Sequence, residues 1–511
     1  MDASRFFWHF MDMAAKRKGS GPNGVSRGRP RPAFGADEAR GLAGRLYGLE
    51  AEVRELTGER DRNFHLRTSD GGEYVLKISN ALELKEFLDF ENRILNHLQE
   101  RSPELGVPRL RRLPSGEAMT TVRSPSGAEH FVRLLTYLPG RFLAQVRPHH
   151  PELLSDLGRF LGGLDRALAG FDGDVPERPL LWDMRHAPQT VRRFLNLVPD
   201  PDRRRLVEFF LDRYQRAVLP RSGALRQGII YNDGNDHNVL VGHAAEGPFG
   251  RFRRVAGVVD FGDMVRGWTV VEPAVAAAYA MMGKADPLEA AAHIAAGFHS
   301  VLPLTEDEFA CFFDFVCLRL CLSVVIAAEQ QSRERDNAYL RVSEDAAWAL
   351  LGRLGEVSPN LAHGTFRDAC GLPACPRASG VVRWLEANAE SFGPVVEPDL
   401  RAHPPLVLDL GAGSLELGRL SYSEDPAEVE ARIAGLLQES GRKIALGRYN
   451  EARTAYSGRG FEVNRNDGPE MRTVHLGVDL FLPPGSAVLA PLDGVVHSFA
   501  DNAAAQDYGP T

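Results

Sequence analysis

The stretch "GIIYNDGNDHNVLV", residues 228–241, constrains this chain more than any other. Two apolar, strand-like ends enclose a short polar loop in which Asp233 is followed, after four residues, by Asn238. Further along, "RVAGVVDFGDM" is a second apolar run that ends in Asp260 and an immediate Phe-Gly turn. Two strand-to-loop corners that each deliver a carboxylate, one with an amide beside it, suit phosphoryl transfer from a nucleotide. One carboxylate must orient or deprotonate the acceptor hydroxyl. An amide oxygen and a second carboxylate must hold magnesium against the phosphates, and a lysine elsewhere must grip them. Asp233 fits the first role, Asn238 and Asp260 the second, and Lys77 of "YVLKIS" the third. A glutamate on the next helix is expected to pair with Lys77, Glu91 in "DFENRIL" ahead of Glu83. An Asp-x4-Asn loop alone is an ordinary polar turn, and an Asp before Phe-Gly an ordinary turn cap. The weight lies in the order: Lys on a strand, Glu on a helix, a Pro-Gly hinge, then the two acidic corners.

The apolar periodicity around these corners predicts an α+β chain. "FGADEARGLAGRLYGL" reads as an amphipathic helix with Asp37 as its N-cap. "EVRELTG", "NFHLRTS" and "EYVLKIS" alternate as strands do. "ELKEFLDFENRILNHLQE" is helical, and "HFVRLLTYLPG" is a strand that runs into a turn. After residue 150 helical spacing dominates, broken only by the two acidic corners. This gives a small sheet lobe over 34–140 and a larger helical lobe over 141–358. A linker or accessory region follows over 359–468, then a short all-β stretch over 469–511. The basic, Gly/Pro-rich N-terminus, 1–33, is expected to be a disordered tail.

Length and composition narrow the partners. At 511 residues the chain is too long for one core. A net charge of −8 lacks the basic excess that phosphate neutralisation requires, so no nucleic acid is expected as a partner. The apolar run "FVCLRLCLSVVIAA" carries Arg319 and reads as too short to span a bilayer, hence as a buried helix with no membrane partner. Five cysteines make no disulfide framework: Cys311, Cys317 and Cys321 read as core thiols, and Cys370 and Cys375 are too isolated for a zinc knuckle. A reducing cytoplasm is the expected setting.

Residues 34 to about 355 resemble the aminoglycoside phosphotransferase/choline kinase superfamily, and most closely its hydroxylysine-kinase-like branch. The resemblance is carried by "ERDRNFHLRT", "YVLKISN", "YNDGNDHNVLV" and "VVDFGDM". It implies a two-lobed, protein-kinase-like fold that uses Mg2+ with ATP or GTP to phosphorylate a small amino alcohol. By match, Asp233 takes the place of the catalytic base, and Asn238 and Asp260 those of magnesium ligands. Lys77 takes that of the phosphate-contacting lysine. Residues 59–64 match a nucleotide-covering hairpin, and Thr136 to Leu138 fall where hinge backbone holds the base. The family usually has His two places before the catalytic Asp, where this chain has Tyr231. A tyrosine hydroxyl also donates a hydrogen bond, from a longer lever, so the departure bears on loop geometry more than on chemistry. Asp183, Asp236 and Asp263 are extra acids near the expected site; those facing a pocket favour an acceptor with an ammonium group. A pseudo-kinase scaffold is the alternative reading.

Near the C-terminus, "HLGVDL" sets His475 and Asp479 four apart, a spacing at which both can ligate zinc. From about residue 470 the chain resembles the start of a lysostaphin-type zinc endopeptidase domain, whose third ligand comes from a later His-x-His. Only His497 follows, alone. A truncated, non-catalytic domain is therefore expected, as in fusions of a kinase, a peptidase-like domain and a class III aminotransferase. That resemblance implies a fused or partner aminotransferase. "VLDLGAGSLELG" imitates a methyltransferase glycine turn, but Leu415 takes the place of a small residue.

Overall fold

The structure is a computed structural model that describes residues 31–510 except 57, 59–60, 178–179, 244–252, 334–337, 398, 419–425, 454–460, 467 and 503–508. Most of the expected N-terminal tail and the start of the expected hairpin at 59–64 lie outside the described residues. The chain divides into two compact units between Ala374 and Cys375.

The first unit opens with helix α1 (Ala36–Tyr47). Its N-cap is Gly35, not Asp37. The Gly35 N–H donates to the Glu38 carboxylate at 2.6 Å, and Asp37 falls in the first turn, paired with Arg40. Strands β1 (Ala51–Leu56), β2 (Arg62–Thr68), β3 (Glu73–Ile78), β4 (Leu110–Arg111), β5 (Thr120–Arg123) and β6 (Glu129–Thr136) form one antiparallel sheet in the order β1-β2-β3-β6-β4, with β5 also on β6. Alternation sends Phe64, Leu66, Leu76, Ile78, Val132 and Leu134 to one face, where they bury against Ala39, Leu42 and Ala43 of α1. Lys77 lies between Leu76 and Ile78 and so faces the other way, directly across from Arg133 of β6. Helix α2 (Lys85–Arg101) carries Glu91.

A short strand, β7 (Arg141–Phe142), leads from this sheet into the helical part by pairing with β9 (Val239–His243). Helices α3 (Pro151–Leu168), α4 (Ala187–Phe194), α5 (Pro201–Ala217), α6 (Val271–Ala280), α7 (Pro287–Val301), α8 (Glu306–Arg333), α9 (Ala338–Gly355) and α10 (Pro359–Ala369) build the large core. The α3–α7 crossing is close because it is glycine on both sides: a Cβ on Gly158 would lie 2.1 Å from the Ile294 carbonyl oxygen, and one on Gly297 1.9 Å from that of Ser155.

Helix α8 starts in a reciprocal cap, in which the Glu308 carboxylate accepts from the Thr305 N–H (2.8 Å) and the Thr305 hydroxyl from the Glu308 N–H (3.3 Å). It runs 28 residues, so the sequence expectation that this run is too short to cross a bilayer is corrected. Yet 89% of its apolar window is buried inside the protein, and Cys311, Cys317 and Cys321 lie in the core. Helix α10 also belongs here rather than to a linker. Its Ala362 and Phe366 are in the same core, and Phe366 meets Phe312 edge-on at 4.8 Å.

The second unit has a small core of Leu408, Leu410, Leu417, Ile433 and Ala445. Helix α11 (Ala378–Asn388) precedes it. Strands β12 (Leu406–Leu408) and β13 (Ala445–Gly447) run parallel, and the later strand Asp479–Phe481 adds antiparallel to β13. This sheet crosses the boundary expected at 468/469. With helix α12 (Pro426–Ser440) contributing Ile433 to its core, the unit is mixed α and β. The methyltransferase-like turn leaves Leu415 97% exposed.

Candidate active site

Strand pairing brings the two acidic corners side by side. Strand β8 (Gln227–Ile230) pairs antiparallel with β11 (Val265–Trp268), and β9 pairs antiparallel with β10 (Arg253–Val258). The loops that join them, 231–238 and 259–264, therefore adjoin, and the Val259 N–H donates to the Asn238 carbonyl at 3.0 Å. Each loop turns through one left-handed residue, Asn232 (φ 63°) and Asp260 (φ 64°). Asn and Asp enter that region more readily than other side-chain-bearing residues.

Tyr231 is fully buried between the loops. Its hydroxyl donates to the Val259 carbonyl, and its ring meets Phe261 edge-on at 5.2 Å. Burial holds its phenol well above the ordinary range, so it remains a donor. Tyr231 thus ties the Asp233 corner to the Asp260 corner across the longer reach of its side chain.

Two further residues fix the loop and were missed from sequence. The Asn232 backbone N–H donates to Glu272 Oε2 at 2.8 Å, and its side-chain amide donates to the Asp263 carbonyl at 3.1 Å. Glu272 is the lone acid in the apolar segment "VVEPAVAAAYA", and a lone acid in such a helix needs a donor. Burial pushes its carboxyl up to about 7.

Asp233 accepts from three side chains: Asn238 Nδ2 at 2.5 Å, Asn235 Nδ2 at 2.9 Å and Arg319 Nη2 at 3.3 Å. Burial raises its carboxyl to about 7, against the opposing pull of Arg319. Because Asn238 gives its amide nitrogen to Asp233, its amide oxygen is the atom left for a cation. Asp260 has a side chain 61% exposed and lies 3.7 Å from Lys77 Nζ; its loop adjoins that of Asp233 and Asn238, and its carboxylate is near enough to act electrostatically on Asp233. An amide oxygen and a carboxylate are hard oxygen donors, and they fit magnesium.

One expected pair is corrected. Glu91 is engaged by Arg133, not by Lys77. Arg133 stands opposite Lys77 in the β3–β6 register and is buried, so its guanidinium requires the nearest carboxylate, and it also donates to Asn92 Oδ1 at 3.2 Å. Thr136 donates its N–H to the Arg109 carbonyl (2.8 Å) and accepts the Arg109 N–H on its hydroxyl (2.9 Å) at the point where β6 leaves the sheet, two residues before Leu138. Among the extra acids, Asp183 is buried and paired with Arg185 at 2.6 Å, so it offers a pocket no free charge. Asp236 lies 3.1 Å from His237 Nδ1, and its carbonyl accepts from Ala144.

In the second unit, His475 Nε2 lies 3.4 Å from Asp479 Oδ1, close as expected. The other Asp479 oxygen, however, takes Arg453 Nη1 at 2.7 Å. Among the described residues no three His, Cys, Asp or Glu side chains are grouped to hold a metal. A carboxylate already neutralised by arginine, with one imidazole, does not fit zinc.

Comparison with known proteins finds that a family model described as the phosphotransferase enzyme family matches residues 52–310. Hydroxylysine kinase of Bos taurus is 31% identical over 354 residues, spanning 66% of this chain and 93% of that protein. Hydroxylysine kinase of Mus musculus is 30% identical over 352 residues, with the same shares. Among solved structures, a microcompartment-associated aminopropanol kinase aligns with a TM-score of 0.49 at 19% identity, over 61% of this chain and 95% of its own.

Proposed function

This chain belongs to the phosphotransferase enzyme family, and from that premise we propose that it transfers a phosphoryl group from ATP or GTP to a hydroxyl of a small amino alcohol or hydroxylated amino acid, as its hydroxylysine kinase relatives suggest. The single observation that carries the reading is that Asp233, Asn238 and Asp260 stand on two adjoining loops, with Lys77 of β3 beside Asp260.

Asp233 meets the acceptor hydroxyl and takes its proton as the oxygen attacks the γ-phosphorus, whose bond to the bridging oxygen breaks to release the nucleoside diphosphate. Its carboxyl, raised towards neutrality, is matched to that task near pH 7. Asn238 turns its amide hydrogen to Asp233 and so holds the base while presenting oxygen on the phosphate side. Asn238 and Asp260 would hold magnesium, which would shield phosphate charge. Lys77, lying beside Asp260, contacts the phosphates, and Glu91 keeps Arg133 neutralised on the strand next to it. Tyr231 keeps the two loops in register, so that base and phosphate ligands stay in line. The second unit has no metal chemistry in this reading.

The test is a nucleotide-consumption screen of the purified chain with ATP and with GTP, against hydroxylysine, ethanolamine, choline and aminoglycosides. Magnesium-dependent consumption with at least one acceptor is expected. Intact Mg-nucleotide binding with no consumption for any acceptor would favour a scaffold instead.

A further inference from the structure

Arg319 lies in the middle of the apolar helix α8, and its side chain is 1% exposed. A guanidinium has five N–H donors and keeps its charge when buried. Nη2 donates to Asp233 Oδ1 and to the Tyr279 hydroxyl, both at 3.3 Å. Nε and Nη1 are buried without a hydrogen-bond partner. The rings of Trp182 and Tyr279 lie 4.3 and 5.5 Å from the guanidinium carbon. Ring faces attract a cation but are at best weak acceptors of its N–H groups, so the donors on those two nitrogens lack an oxygen acceptor. A buried arginine half-furnished with acceptors is costly unless something else supplies the rest.

Its position says what that is. The acid it touches is Asp233, which meets the acceptor hydroxyl, whereas Lys77 and Asp260 mark the nucleotide side. Trp182 and Tyr279 are each only half-buried, so the guanidinium lies one aromatic layer below the surface. Asp263 is near enough to act electrostatically on both Asp233 and Arg319, which places opposite charges at the acceptor end. That arrangement complements a zwitterion.

We propose that the unpartnered nitrogens of Arg319 bind a carboxylate on the acceptor, so that the acceptor is a hydroxylated amino acid rather than an amino alcohol lacking that group. This rests on the kinase reading above and narrows it. Trp182 or Tyr279 turns aside as the carboxylate enters, and the second anion shares the guanidinium with Asp233.

The test compares acceptors that differ only in the carboxylate: hydroxylysine against its decarboxylated diamine, and serine against ethanolamine. For the wild-type chain, kcat/KM of the better pair is expected to favour the carboxylate-bearing member by roughly 10- to 100-fold, the range for hydrogen bonds to a charged group. In Arg319→Lys and Arg319→Met that advantage shrinks to a few-fold, mainly through KM, on top of any loss common to both members. Thermal melts establish that the variants are folded. A purely structural Arg319 depresses both members equally and leaves the ratio intact, and that result overturns the proposal. Parity of the two members in the wild-type chain overturns it even if neither variant folds. No turnover of any acceptor, with or without a carboxylate, removes the kinase reading along with it.

Discussion

Asp233 accepts three side-chain hydrogen bonds, yet burial still lifts its carboxyl to about 7, so desolvation outweighs the arginine beside it. Replacing it with asparagine keeps the size and removes the proton acceptor. We expect Asp233→Asn to lower kcat by roughly 100-fold or more, with the nucleotide-induced rise in melting temperature retained. A base must be ionised to act, so kcat/KM of the wild-type chain should climb as pH rises towards about 7 and level off above it. Glu272 carries a second raised carboxyl, and its effect falls on stability. Its folded-state affinity for a proton exceeds that of the unfolded chain, whose glutamate titrates at about 4.3. Its contribution is therefore fully present below that value and is lost as pH rises through about 7. Glu272→Gln keeps an acceptor for the Asn232 N–H and removes the titration. Melting temperatures between about pH 5 and pH 8 should fall less steeply in the variant than in the wild-type chain. Equal slopes would show that Glu272 is ionised throughout.

At the level of elements, the proposed reaction depends on how two strand-loop-strand corners are locked together. Tyr231 is the lock, and Tyr231→Phe removes only its hydroxyl and leaves the Val259 carbonyl without that donor. A cost of about 1–3 kcal/mol in chemical denaturation is expected, with turnover reduced because Asp260 follows Val259 directly. A variant with wild-type stability and turnover would show that the ring contact with Phe261 suffices. The corners themselves were legible in the sequence, because apolar strand ends and the Asp-x4-Asn and Asp-Phe-Gly turns are local signals. The partner of Glu91 was not. Arg133 lies opposite Lys77 only through the β3–β6 register, and no local pattern states that register. Arg319 was visible as a charge inside an apolar run, but its partner, Asp233, is 86 residues away in the chain. Asn232 gave one signal, a residue type tolerant of left-handed backbone just before the acidic corner. Strand alternation marked the small lobe well, whereas the end of the helical lobe was misjudged, because a Pro-initiated helix after a Gly-Glu turn looks like a linker until its buried face is seen.

For the whole molecule, that last point decides where the catalytic unit ends. Asp233, Asn238, Asp260, Lys77 and Arg319 all lie before Ala374, and so does the matched family region. Residues 359–374 are fastened to the same core at several points. Phe366 packs on Phe312, and the Arg367 guanidinium pairs with Glu306 at the start of α8. Removing them would uncover Phe312 and the α8 end that carries the Thr305–Glu308 cap. Loss of a buried phenylalanine alone costs about 3–5 kcal/mol, which in a unit of this size corresponds to roughly 4–7 °C in melting temperature. A chain ending at Ala374 is therefore expected to melt cooperatively and to gain stability from Mg-nucleotide as the full chain does. A chain ending at residue 358 should melt at least about 4 °C lower. Lys77→Ala in the longer of the two should weaken the nucleotide-induced shift, since a ligand stabilises a fold only through its affinity for it. If the two truncations melt alike, α10 is an appendage, and the boundary read from the sequence was the right one. If the chain ending at Ala374 melts normally but gives no nucleotide shift while the full chain does, then residues beyond 374 contribute to the site, and the convergence of Lys77 and Asp260 is not sufficient for binding.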